Sequence, residues 1–295
     1  MRVALALALA LVACGSDPQG EPDWMATIAD TRSLAELSMP GTHDSGALFE
    51  PYMGLAKCQN LSIADQLAAG VRYFDIRCRN FNDQFLIYHG SVDQNQTYDE
   101  VLAAMFAFLD AHPTETIVIS VQEELAAQGA TLTFEQLFAQ YVAQAPSRWY
   151  LGTTVPHLGE ARGKLVLLRR FVATTIGGID ADPVLWLDNA SFSIITADAT
   201  LHIEDAYMVT DNDAKWSAIT SNVGIAATDP AGLYLTYTSG YQLINGLPSI
   251  PTVASDINAR LDTWLAPGGV MHTGVVVSDF ITAPRAAAII ATNAP

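Results

Sequence analysis

Residues 71–77 read Val-Arg-Tyr-Phe-Asp-Ile-Arg, directly after Gly70. The run is short and rich in β-branched and aromatic residues, so it reads as a strand. Side chains alternate faces along a strand, which puts Asp75 and Arg77 on one face and Phe74, Ile76 and Cys78 on the other. Opposite charges at the end of an otherwise apolar strand are costly in a closed core and are at home at a solvated mouth.

Moving outward from this run, the same signature recurs. Ala35–Thr42 is followed by His43 and Asp44, and Gln84–His89 ends on His89. Thr116–Gln122 ends on Gln122, and Lys164–Arg170 on Arg170. Thr200–Tyr207 carries Asp205 and Tyr207 at its end, and Gly274–Phe280 carries Asp279. With Leu233–Thr238 these make eight strand candidates. Helical runs lie between them. In Asp99–His112, Val101, Leu102, Met105, Phe108 and Leu109 recur at helical spacing before Pro113. Ile63–Ala69, Phe134–Ala143 and Ser255–Leu265 are further helices. The alternation predicts a single irregular (βα)8 barrel of the TIM type, an α/β fold whose chemistry sits at the C-terminal strand ends. An open doubly wound sheet is the alternative. It calls for a Gly-x-Gly-x-x-Gly turn after the first strand, which is absent.

Composition agrees with one sizeable core: of 295 residues, 50% are hydrophobic and only 15% are charged. The formal net charge of −17 argues against nucleic acid as a partner and against docking on anionic lipid through a basic patch. Any membrane contact then falls to apolar and aromatic side chains. Leu48, Phe49, Tyr52, Met53 and Leu55 form one such group, and Tyr234, Tyr237 and Tyr241 a second. Ordinary packing is an equal alternative for the first group and the favoured reading for the second.

Arg2 precedes an Ala/Leu/Val run to Ala13 that is too short to span a bilayer and suits the apolar segment of a secretory signal. Residues 1–13 are therefore expected to be a signal peptide, 14–23 a flexible tether and 24–295 the barrel. The run ends Leu11-Val12-Ala13-Cys14 and resembles a bacterial lipobox, which implies a cell-surface lipoprotein anchored through Cys14; ordinary cleavage after a small residue is the other reading. Cys58 and Cys78 are left as either a disulfide or two buried thiols.

Several segments carry a family resemblance. Met39-Pro40-Gly41-Thr42-His43-Asp44-Ser45-Gly46, Gly70–Arg77 and Ile87-Tyr88-His89-Gly90 resemble the first three catalytic segments of bacterial phosphatidylinositol-specific phospholipases C. Pro113–Ser120 and Ala161–Arg170 match the approaches to the next two strands, in order. The resemblance implies metal-free cleavage of a lipid phosphodiester. In that scheme His43 is the base and Asp279 orients it. Arg77 steadies the phosphoryl charge, and His89 with Asp44 is the acid. Asp75, Gln122, Arg170 and Asp205 bind the substrate, Tyr207 stacks on its ring, and no cofactor is needed. The implied partner is a membrane or vesicle containing phosphatidylinositol or its glycosylated form, met by a monomer.

There are departures. Gln122 stands where the family often has lysine, and calcium-dependent relatives carry acids at the positions of Arg77 and Gln122. Asp44, Asp75 and Glu123 could still make a partial oxygen site. A calcium-dependent phospholipase, a glycerophosphodiesterase and a non-catalytic inositol-lipid-binding lipoprotein are the competing readings.

Overall fold

A computed structural model describes residues 20–266 and 272–293. The segment expected to be a signal peptide, residues 1–13, and Cys14 lie outside the described residues. Eight parallel strands follow the ring, β1 (Met39–Thr42), β2 (Tyr73–Phe81), β3 (Ile117–Gln128), β4 (Leu165–Arg170), β5 (Ile179–Asp180), β6 (Thr200–Asp205), β7 (Leu233–Tyr237) and β8 (Val275–Ser278), and the two-residue Trp149–Tyr150 also runs parallel beside the start of β4. Except for β5 and β6, each pairs with the next, and β8 pairs with β1 in the register Met39 to Val275. Among the described strands the ring is unsealed only between β5 and β6. There Ala190–Ile195 lies antiparallel against β6. The (βα)8 expectation therefore holds, with an open seam.

One strand was assigned differently in the sequence. Gln84–His89 is not a barrel strand. It folds back antiparallel on β2, pairing Cys78 with Ile87. Its place in the ring goes to the two-residue β5, too short to leave any periodicity. Asn212–Ala226 and Ala283–Ala291 are helices that the apolar spacing did not reveal. The first mixes Lys, Ser, Thr and Asn with small residues, and the second is mostly alanine.

Strand parity sorts the core. Met39, Tyr73, Val118, Val166, Leu201, Leu235, Val275 and Val277 point into the barrel. Phe74, Ile76, Cys78, Ile119, Val121 and Leu167 point out, beneath Tyr98–Ala111 and Phe134–Gln144. Gly41 faces the interior, where an added Cβ would come within 3.1 Å of the Tyr73 ring. The N-terminal segment plugs the barrel floor. Trp24 Nε1 donates to the Gly70 carbonyl, and Met25 N donates to Glu115, which also pairs with Arg72 at 2.9 Å. Residues 20–23, assigned to the tether, are also held to the body: Pro22 O accepts from Arg72, and Asp23 pairs with His112.

Candidate active site

His43 and Asp279 sit just past the ends of neighbouring strands β1 and β8, so strand register alone brings them together. Nδ1 of His43 lies 2.8 Å from Oδ1 of Asp279. A carboxylate accepts, so Nδ1 carries the hydrogen and Nε2 is the basic nitrogen. Both loops then turn through left-handed backbone, at Asp44 (φ 38°) and Phe280 (φ 49°). Such turns are tolerated by Asp and uncommon for an aromatic residue.

The turn at Asp44 drives its carboxyl inward, where it is fully buried. Neither oxygen has a hydrogen-bond partner among the described residues. Oδ2 lies 3.9 Å from Nε2 of His89 and 3.8 Å from Nε of Arg77. Burial pushes the Asp44 carboxyl well above the usual carboxylate range. Burial, followed by the Arg77 charge, pulls His89 below its ordinary value. Nδ1 of His89 faces the Ala56 carbonyl at 2.8 Å and must therefore donate, which leaves Nε2 toward Asp44. Ionisable groups this close interact, so the macroscopic titration belongs to the pair and not to either residue.

Arg77 occupies a cage of carboxylates. Its Nε and Nη2 donate to Asp75 Oδ2 at 3.2 and 3.0 Å, and Nη1 lies 3.7 Å from Glu124. Asp75 also accepts from Arg170 at 3.3 Å and from the Asp44 amide at 3.2 Å. Burial alone would raise its pKa, but these donors bring it down to about 2. Asp44 and Asp75 are thus two buried carboxyls beside one guanidinium with opposite shifts. Two guanidinium charges close to Asp75, Arg77 at 3.0 Å and Arg170 at 3.3 Å, outweigh its burial, whereas at Asp44, 3.8 Å from Arg77, burial wins.

Glu124 was missed as a site residue. It lies on the same face of β3 as Gln122, whose amide donates to it at 2.8 Å, and it accepts from Gly90 N at 2.7 Å. An acid therefore reaches this corner, although none stands at position 122. Glu123, the acid considered for a partial oxygen site, points outward and is exposed. The cage holds a guanidinium, which already neutralises the carboxylates a cation would need.

The other half of the mouth rests on Trp186. Its ring lies 3.6 Å from the Arg170 guanidinium, and its Nε1 donates to Asp205 at 2.9 Å. Arg170 also approaches the Tyr237 hydroxyl at 3.5 Å. Tyr207 lies past the end of β6 and donates to Asp188 at 2.6 Å. Trp186 and Asp188 belong to the connection after β5 and escaped notice because that strand did. Tyr237 is expected from the sequence to be a packing or rim residue. It is buried, as is Tyr234, so the second aromatic group is packing except for Tyr241 at the cleft wall.

Eight of the ten expected residues line one cleft of about 430 Å³; Asp44 and Asp75 are buried beneath it, and Asp75 holds Arg77 and Arg170 there instead of meeting substrate. The His43 and His89 rings face each other there at 6.3 Å between centroids, nearly perpendicular at 89°. Cys58 and Cys78 are separate buried thiols, not a disulfide. No helix among the described residues is long and apolar enough to cross a membrane.

Comparison with known proteins places this arrangement. Residues 47–171 match the family model for the phosphatidylinositol-specific phospholipase C X domain. The 1-phosphatidylinositol phosphodiesterase of Staphylococcus aureus (strain Newman) is 31% identical over 274 residues, 88% of each chain. That of Listeria monocytogenes is 34% identical over 160 residues, covering 49% of this chain and 47% of the relative. A crystal structure of the S. aureus phosphatidylinositol-specific phospholipase C superposes with a TM-score of 0.85 at 29% identity, covering 93% of this chain and 98% of that one. The L. monocytogenes enzyme superposes with a TM-score of 0.75 at 25% identity, covering 93% and 99%. The fold, the two facing histidines and an alignment along most of the chain converge, and the chain belongs to the bacterial phosphatidylinositol-specific phospholipase C family.

Proposed function

We propose that the protein cleaves phosphatidylinositol, free or glycosylated, to diacylglycerol and inositol 1,2-cyclic phosphate without a metal. The observation that carries this reading is the pair of perpendicular imidazoles flanking one cleft beside a caged guanidinium. His43, held by Asp279, takes the proton of the inositol 2-hydroxyl as that oxygen attacks phosphorus. Arg77 stabilises the charge gathering on the phosphoryl oxygens, and the carboxylates around it fix its fork in advance. The His89–Asp44 pair delivers its shared proton to the departing diacylglycerol oxygen. Arg170 and Asp205 bind ring hydroxyls, Tyr207 stacks on the ring, and Gln122 supplies a neutral amide where a lysine charge is absent.

The substrate arrives in a bilayer, and the mouth has an apolar rim. Phe49, Tyr52 and Met53 are exposed on one loop, Val184, Leu185 and Leu187 on a second, and Leu243, Ile244 and Leu247 on a third. All three continue into the cleft wall, through Leu55, Leu187 and Pro248. With a net charge of −17, apolar insertion and not lipid-charge attraction holds this face to the membrane. Secretion, with anchorage through Cys14, brings a monomer to that surface.

The test is diacylglycerol release from phosphatidylinositol vesicles in excess chelator. Wild type releases it, and His43→Ala releases it at least ~10²-fold more slowly. Activity that disappears in chelator and returns with Ca²⁺ defeats the metal-free mechanism.

A further inference from the structure

Cys58 has no part in the chemistry above, yet it is wholly buried between both acid–base pairs. Its backbone is clamped to the two catalytic loops. Cys58 N donates to Ala47 O at 2.9 Å, and its carbonyl accepts from Phe280 N at 2.7 Å. The neighbouring Gln59 amide donates to the His43 and Ser278 carbonyls at 2.9 and 2.8 Å. The thiol is thus held rigidly against the histidines, with Sγ 3.9 Å from His89 Nδ1.

Two sets of three potential ligand atoms lie within 4.8 Å of one another, and both use Cys58: with His43 and Asp279, and with Asp44 and His89. One sulfur, one imidazole and one carboxylate is a zinc donor set. The two sets are not equivalent. Arg77 lies 3.8 Å from Asp44, and His89 Nδ1 is committed to the Ala56 carbonyl. Asp279 Oδ2, by contrast, is buried and has no partner among the described residues. Its lone pairs are free for a ligand.

We propose that His43, Cys58 and Asp279 form a binding site for one thiophilic divalent cation, probed with Zn²⁺, and that the bound ion halts turnover. Binding replaces the Cys58 S–H bond by S–Zn and releases that proton to solvent, so inhibition strengthens as pH rises. Three protein donors leave the fourth tetrahedral position to a water from the cleft. Coordination through either His43 nitrogen removes the base: Nε2 loses its lone pair, or Nδ1 loses its hydrogen bond to Asp279. The site is distinct from any activating metal, because the ion occupies a group the reaction needs free.

The experiment has two arms. In the first, Zn²⁺ at buffered concentrations is titrated into the wild type during phosphatidylinositol cleavage, and each protein is normalised to its own zinc-free rate. Inhibition by one equivalent, reversed by chelator, is expected. Cys58→Ser and Cys58→Ala should weaken it by more than the roughly 10–100-fold that losing an outer-shell partner costs. In the second arm, which does not depend on the phospholipase reading, Co²⁺ is added to the protein without substrate. The wild type should show a thiolate-to-cobalt charge-transfer band that Zn²⁺ abolishes. Should both Cys58 variants fail to fold, this wild-type spectrum decides alone. Equal inhibition of wild type and variants, or a wild-type cobalt complex without the band, overturns the proposal. A protein that gives the band but cleaves no phosphatidylinositol refutes the enzyme reading and leaves the site standing.

Discussion

The two halves of the mouth are built by different means. On the half proposed to carry the chemistry, His43, Asp44, Asp75, Arg77 and Asp279 stand on or within two residues of β1, β2 and β8, and their partners are strand residues or the immediate turns. On the recognition half, Arg170 and Asp205 also end strands, but each is steadied by Trp186 from the connection after the two-residue β5. Tyr207 leans on Asp188 from that same connection. The chemical half is fixed by sheet register, whereas the recognition half is fixed by a loop beside the open seam. Chemistry should therefore be brittle at single side chains, and recognition should degrade gradually.

The sharpest way to break this contrast is to remove one histidine at a time. His43→Ala and His89→Ala should each lower turnover by about 10²–10⁴-fold, the range for loss of one positioned acid or base, with vesicle binding retained. Near wild-type turnover in either variant removes that residue from the mechanism.

Next is the shared proton. His89 alone has a lowered pKa, and Asp44 has a raised one, so the pair keeps its proton to higher pH than the imidazole would by itself. Asp44→Asn takes away the carboxyl that carries it. The alkaline limb of kcat/KM should then move to lower pH, by about one unit if the coupling exceeds the ordinary strength of interacting sites. An unmoved alkaline limb means that Asp44 does not hold the acid's proton.

On the recognition half, Trp186→Ala removes a cation–π contact and the hydrogen bond to Asp205. Together these are worth about 1–3 kcal/mol, so KM should rise roughly tenfold while kcat changes less. A loss confined to kcat erases the distinction between the halves. The smallest effect belongs to the rim. The double change Tyr52→Ala with Met53→Ala exposes no new polar group and should weaken vesicle sedimentation severalfold, with little change on monomeric substrate; unchanged sedimentation removes this loop from the docking face.

The same contrast explains what could be read in the chain. Asp75 and Arg77 declared their face because alternation is a two-residue rule. His43 and Asp279 follow apolar strands that the parity argument also places. His89 reaches the cleft from a misassigned strand: an antiparallel arm and a barrel strand have the same alternation, and only pairing separates them. Glu124 lies beyond the expected strand end at Gln122, because the strand runs on to Gln128 and the same parity puts both on one face. Trp186, Asp188 and Cys58 carried no local signal, since their positions depend on a two-residue strand and on loop closure across distant parts of the chain.

The central claim is internal attack within the lipid head group, managed by two imidazoles and a guanidinium. Phosphorus NMR of the first product formed from phosphatidylinositol vesicles, in chelator, tests it most directly. The account predicts the signal of a five-membered cyclic phosphate before any linear inositol phosphate. A linear phosphate as the first product, or no phosphorus product until a divalent metal is added, contradicts it.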